Sequence, residues 1–81
     1  MTPAQCRAGR SLLDWNQSEL AKAAKLGLST IVDYEKQRRS ISEQALSEIR
    51  MALEKGGIEF IEENGGGRGV RLRKSSRKSK K

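Results

Sequence analysis

Residues 15–36 read WNQSELAKAAKLGLSTIVDYEK and predict two short helices joined by a tight turn. Asn16 can cap the first helix, and Glu19 follows three residues later, as a capping box requires. Leu20, Ala21 and Ala24 then share one helical face. Because alanine is small, a second helix can cross this face closely.

The second helix is predicted to run from Gly27 to Glu35. Ile31 and Tyr34 are spaced i, i+3 and mark its inward face. The opposite face near its N-terminus stays free to enter a major groove. These two helices therefore predict a compact helix pair with one open face.

Helices are also predicted on both sides of this pair. Thr2 before Pro3 predicts an N-cap with proline at the first helical position, and the helix should end near Leu13. Residues 40–43, SISE, form a second capping-box pattern, with Ser40 as the cap. The helix that follows carries an apolar stripe and should stop at Gly56-Gly57.

After Gly57 the apolar residues alternate, which predicts a β-hairpin. Residues 58–62 and 70–73 form the strands, and the glycine-rich residues 63–69 form the loop. An isolated two-stranded hairpin is marginal in water, so its apolar face should pack on the helices or on a second subunit. We assign dimer contacts to this face, which comprises Ile58, Phe60, Val70 and Leu72.

Charge is distributed unevenly along the 81 residues, which have a net charge of +7. Residues 1–67 carry nine Lys or Arg against ten Asp or Glu, whereas residues 68–81 carry eight basic residues and no acidic one. Such an end predicts a disordered tail that holds phosphates non-specifically, with a solubility tail as the alternative. We assign phosphate contacts there to Arg73, Lys74, Arg77 and Lys78. The predicted units are a helical domain 1–57, a hairpin 58–73 and a tail 74–81.

The composition argues against most enzyme chemistry. Cys6 is the single cysteine and there is no histidine, so an internal disulfide, a cysteine metal cluster and Ser-His-Asp catalysis are excluded. No apolar stretch approaches the roughly 20 residues of a membrane span, and no signal peptide is visible. We therefore expect a cytoplasmic protein that is not an enzyme and needs neither metal nor cofactor.

The pattern W-x-Q-x-x-L-A-x-x-A, a short turn and S-T-I-x-x-x-E resembles the helix-turn-helix of the Cro and phage-repressor family, the XRE-type regulators. The resemblance covers residues 6–54. The layout that ends in residues 57–72, GIEFIEENGGGRGVRL, is also similar to small regulators of alpha-proteobacteria. This resemblance implies a mainly α, lambda-repressor-like bundle of four to five helices, with a C-terminal β-hairpin and a disordered basic tail.

The same resemblance assigns roles to single residues. Arg10 and Glu35 match an interhelical ion pair of the family, with two unrelated surface charges as the alternative. Lys25 stands where the turn usually has glycine, and would carry left-handed strain there. The expected base-reading residues are Leu28, Ser29, Val32 and Asp33. The expected phosphate-binding residues are Gln17, Gly27, Thr30, Lys36, Gln37, Arg38 and Arg39.

The leading functional hypothesis is a sequence-specific regulator of transcription that binds double-stranded DNA. It would act as a homodimer on a partly palindromic operator and would form higher-order oligomers on paired operators. It would also regulate its own gene. One alternative is an interaction module that has lost base readout, such as an antiactivator or antitoxin-like subunit. A second is an architectural or RNA-binding protein that relies on the tail. A protein antagonist is a further expected partner, and a membrane is not.

Overall fold

The computed structural model describes residues 1–73; residues 74–81, with Lys74, Arg77, Lys78 and the predicted disordered tail, lie outside the described residues. Its elements are α1 (Pro3–Leu12), α2 (Gln17–Ala24), α3 (Leu28–Glu35), α4 (Glu43–Gly56), β1 (Ile58–Ile61) and β2 (Gly69–Leu72). The predicted helical bundle with a C-terminal hairpin is confirmed, with four helices in this part of the chain. None of these helices is long and apolar enough to cross a membrane.

The first two helices begin at the predicted caps. The Thr2 hydroxyl accepts a hydrogen bond from the Gln5 amide at 3.1 Å, and the Gln5 side-chain oxygen accepts one from the Thr2 amide at 2.9 Å. Asn16 and Glu19 form the same reciprocal pair, with both distances 2.8 Å. The first helix ends one residue earlier than predicted, because Leu13 is its C-cap.

The prediction that Ser40 caps the fourth helix is wrong. Ser42 is the N-cap, and its hydroxyl accepts a hydrogen bond from the Ala45 amide at 3.0 Å. Ile41 packs against the core from the loop before the helix. The helix begins at Glu43, so this carboxylate stands in the first helical position and cannot close a box with Ser40.

The core lies where the four helices meet the first strand. Each of these five elements contributes at least one fully buried side chain, and α4 contributes two. These side chains are Cys6, Leu20, Ile31, Ile49, Leu53 and Ile58. The α2–α3 pair is therefore part of one continuous core.

The hairpin is antiparallel, and its register pairs Ile58 with Leu72 and Phe60 with Val70. Its apolar face packs on the helices of the same protomer. Ile58 is fully buried there and Phe60 is 9% exposed, so both pack on the helices, which is one of the two alternatives for this face. Val70 is half-buried, and Leu72, which is 49% exposed, is the open end of this face.

A buried glutamine ties the first helix to the hairpin. The side-chain nitrogen of Gln5 donates to the Gly69 carbonyl at 2.9 Å and more weakly to the Ile61 carbonyl at 3.4 Å. These two residues face each other across the ladder, so one amide holds both strands. The capping-box partner of Thr2 thus also orients the hairpin.

Candidate nucleic-acid interface

The turn between α2 and α3 contains the strained residue that the sequence indicates. Lys25 adopts φ 59° and ψ 43°, the left-handed conformation, as the C-cap of α2. The Leu26 amide closes the turn with a 2.9 Å hydrogen bond to the Ala21 carbonyl. A side chain in this conformation costs about 1–2 kcal/mol, so the helix-turn-helix forms at some expense in stability.

Replacing Lys25 with glycine is expected to raise the free energy of unfolding by about 1 kcal/mol, because glycine removes most of this strain. Urea unfolding of the two proteins measures the difference. The matched control is Lys22→Gly, an exposed position inside the same helix, which should lower stability by about 1 kcal/mol. Equal losses in both variants would show that the turn carries no strain.

The outward surface of α3 is open to solvent. Leu28 is 47% exposed and Ser29 is exposed, while Val32 and Asp33 are half-buried. Ile31, on the opposite side, is fully buried and anchors the helix. The four residues predicted to read bases therefore all reach the surface.

The N-terminus of α3 begins at the Gly27 cap. Gly27 has an extended backbone and forms no side-chain cap hydrogen bond. Thr30 is half-buried one turn further along, and its amide donates to the Gly27 carbonyl at 3.1 Å. The first amides of a helix that no side chain caps can hold a phosphate oxygen.

The loop after α3 exposes Lys36, Gln37, Arg38 and Arg39, but it does not leave the arginines free. Arg39 Nε lies 2.7 Å from Asp33 Oδ2, and Arg38 Nη1 lies 3.9 Å from Asp33 Oδ1. The sequence predicts that Asp33 contacts a base and that both arginines contact phosphates. In the structure the carboxylate instead faces the two guanidinium groups.

A buried carboxylate links α3 to the two helices before it. The Glu35 side chain is 1% exposed. Arg10 Nε donates to its Oε2 at 2.8 Å, and Arg10 Nη2 donates to its Oε1 at 2.8 Å. Gln17 Nε2 donates to Glu35 Oε1 at 3.0 Å, and Cys6 Sγ donates to Oε2 at 3.1 Å. A bidentate pair of this kind fixes orientation as well as charge.

The pKa values in this cluster follow from burial and hydrogen bonding. Burial alone would raise the pKa of Glu35, but hydrogen bonds from Arg10, Gln17 and Cys6 outweigh it and hold the pKa below its ordinary value. Burial, with the Glu35 charge nearby, raises the pKa of the Cys6 thiol. The thiol therefore keeps the proton that it donates.

The sequence alone does not reveal the roles of three members of this cluster. Gln17, predicted to bind phosphate, donates its amide to Glu35, and Cys6 is a hydrogen-bond donor as well as a core residue. Arg7 Nη1 donates to the Glu35 carbonyl at 2.7 Å and so satisfies the end of α3. The spacing of Cys6 and Arg10, one helical turn apart, is the one signal that could have placed both at the same carboxylate.

The comparison with protein families agrees with this geometry. A family model described as helix-turn-helix matches residues 7–60. The chain belongs to the XRE-type helix-turn-helix family. The match extends into β1, so the family unit reaches the first strand of the hairpin. A search of curated proteins found no match.

Membership makes this chain a DNA-binding regulator, because the family consists of such regulators and not of enzymes. The ligand of the helix-turn-helix protein is double-stranded DNA. In this fold α3 is the second helix of the helix-turn-helix, and its surface around Leu28 and Ser29 is exposed. The cluster at Glu35 joins that helix to α1 and α2.

One predicted tail residue lies within the described part of this helix-turn-helix protein. The Arg73 amide donates to the Gly57 carbonyl at 2.6 Å, and Arg73 Nη2 donates to the Glu54 carbonyl at 2.9 Å. Arg73 therefore fastens the end of the hairpin to the C-terminus of α4. Arg73, which the sequence predicts to contact phosphate, donates to protein carbonyls in this structure.

Proposed function

We propose that this regulator binds a partly palindromic operator as a homodimer and controls its own gene. It represses or activates according to the position of the operator, and paired operators bind more than one dimer. The observation that carries the proposal is the open α3 surface, held to α1 and α2 by the buried Glu35 cluster. A rigid helix with an exposed reading surface suits recognition of base edges.

Two-fold symmetry gives the proposed operator its spacing. Two recognition helices enter successive major grooves about 34 Å apart, so the half-sites lie one helical turn from each other. We place the dimer contact at the open end of the hairpin, where Leu72 is 49% exposed beside the half-buried Val70. The regulator then works at the nucleoid, in the lineage of small alpha-proteobacterial regulators, with a protein antagonist as a route of control.

Fluorescence anisotropy at physiological salt tests this function. We compare a duplex from upstream of the protein's own gene with a scrambled duplex of equal length. An operator should bind about 10³-fold or more tightly than the scrambled duplex. Equal affinities, followed by no enrichment in a selection from random duplexes, would contradict a sequence-specific regulator.

Charge reversal at Arg38 is expected to weaken binding to every duplex and to reduce the slope of log K against log salt by about 1, because one phosphate contact is lost. The matched control is Lys55→Glu, which makes the same change of charge in the last turn of α4. Anisotropy titrations at several salt concentrations measure both slopes. Equal effects of the two variants would show that Arg38 does not contact phosphate.

A second candidate function is an interaction module that masks another protein. The specific observation in its favour is the character of the α3 surface: Leu28 is 47% exposed, and the Asp33 carboxylate is held by arginines. A module of this kind predicts that Leu28→Glu releases the protein partner, while Arg38→Glu leaves that complex intact. A DNA-binding regulator predicts sensitivity of the DNA complex to both changes.

A further inference from the structure

The recognition helix has no side chain of its own that can read a guanine strongly. Guanine presents two acceptors, N7 and O6, in the major groove, and the usual reader is an arginine that donates to both. The exposed α3 surface offers Leu28, Ser29, Val32 and Asp33, none of which can donate two hydrogen bonds in this way. A donor from outside the helix could fill this gap.

Arg39 has the geometry of such a donor. Its Nε lies 2.7 Å from Asp33 Oδ2, and its side chain is 59% exposed while that of Asp33 is 21% exposed. Binding through Nε orients the guanidinium plane and leaves the edge between the two terminal nitrogens free to donate a pair of hydrogen bonds. Within residues 1–73 neither terminal nitrogen of Arg39 forms a hydrogen bond.

Arg38 provides a natural comparison. Its Nη1 lies 3.9 Å from Asp33 Oδ1, which is beyond hydrogen-bond distance, and its side chain is also 59% exposed. The Arg38 guanidinium is therefore attracted to the carboxylate but not fixed by it. Two adjacent arginines with equal exposure thus differ in one respect, since only Arg39 is held at a defined angle beside the reading surface.

We propose that Arg39, positioned by Asp33, is a specificity-determining residue that reads a guanine beside the recognition helix. This inference rests on the proposed function and replaces the phosphate contact that the sequence indicates for Arg39. A held arginine loses less side-chain freedom when it binds, which favours directed base contact. The Asp33 charge also offsets that of Arg39, so the pair is a poor anchor for phosphate and a suitable reader of a base edge.

The experiment begins with the duplex that the wild-type protein selects from a random pool. Each guanine of that duplex is replaced in turn by 7-deazaguanine, which lacks the N7 acceptor and keeps normal base pairing. Affinities are measured for the wild type, Arg39→Lys, Asp33→Ala and the matched control Arg38→Lys. Lysine keeps the charge at each position but replaces the planar pair of terminal nitrogens with a single ammonium nitrogen.

One deaza substitution in each half-site should weaken wild-type binding by about 5- to 150-fold. Arg39→Lys should lose a similar factor on the unmodified duplex, become insensitive to that substitution and keep the wild-type salt slope. Asp33→Ala should also lose preference at that guanine, and it should bind the scrambled duplex more tightly because it removes a negative charge. Arg38→Lys should retain the full preference.

Two results overturn the assignment in distinguishable ways. If Arg39→Lys keeps the wild-type preference at every guanine, Arg39 is not a base reader, and the proposed operator-binding function still stands. If the wild-type protein selects no duplex from the pool, both the proposed function and the role of Arg39 fail together.

Discussion

Replacing Arg10 with methionine is expected to lower the free energy of unfolding by about 3 kcal/mol at neutral pH. The loss does not come mainly from the attraction between the two charges. It arises because Glu35 stays buried, with a side chain 1% exposed, and no longer has a cation beside it. Gln17 and Cys6 still donate to the carboxylate, but neither carries a charge that could offset it.

The effect should depend on pH in a direction fixed by the pKa of Glu35. In the folded wild type the pKa of Glu35 lies below its ordinary value, so ionised Glu35 stabilises the protein. This stabilisation is complete above about pH 4.3, the pKa of Glu35 in the unfolded protein, and is lost as pH falls through the pKa in the folded protein. Without Arg10, burial raises the pKa of Glu35 and favours its neutral form. Urea unfolding should therefore show the difference in stability narrowing as pH falls from neutral toward about 4.3, where Glu35 of the variant becomes neutral, and disappearing as pH falls through the folded pKa of the wild type.

An exposed ion pair supplies the control for this prediction. Arg71 Nε lies 2.8 Å from Glu59 Oε1, the same distance as in the buried pair, with side chains 65% and 47% exposed. Arg71→Met should leave the unfolding midpoint nearly unchanged, because water replaces the lost partner. A loss as large as that of Arg10→Met would mean that burial of Glu35 does not set the cost.

Features that depend on neighbouring residues could be predicted from the sequence. The Thr2 and Asn16 caps need only a hydroxyl or amide oxygen and a partner three residues later, which the sequence displays directly. The strands follow from alternation, and their register is fixed once Ile58 and Phe60 must face the helices. Ser40 shows the limit, since the choice between two serines depended on Ile41 reaching the core.

Features that depend on distant residues could not be predicted by spacing. Gln17 has the position of a phosphate ligand at the start of a helix, yet its amide donates to Glu35 on the next helix. Gln5 reaches the carbonyl of Gly69, which is 64 residues away along the chain. Asp33 and Arg39 meet only because the chain reverses after Gln37, a residue with φ 57°. In each case the folded backbone selected the partner from several polar groups.

Replacing Phe60 with alanine is expected to lower the free energy of unfolding by about 3–5 kcal/mol. Phe60 is 9% exposed, and its ring also lies 5.0 Å below the guanidinium of Arg50, so the substitution leaves a cavity and removes a cation–π contact. Urea unfolding measures the loss. A decrease below about 1 kcal/mol would show that the hairpin is loosely attached to the helices.

Leu72 belongs to the same face of the hairpin, but its replacement should change the oligomeric state and leave the stability of the protomer nearly unchanged. It is 49% exposed, so Leu72→Asp removes little buried surface from the protomer and should leave the folded monomer nearly as stable as the wild type. If the dimer contact lies at this end of the hairpin, the aspartate places a charge in it, and sedimentation should change from dimer to monomer. The matched control is Leu28→Asp, with 47% exposure on the recognition helix, which should remain dimeric. A Leu72→Asp protein that still sediments as a dimer would move the contact to the helices.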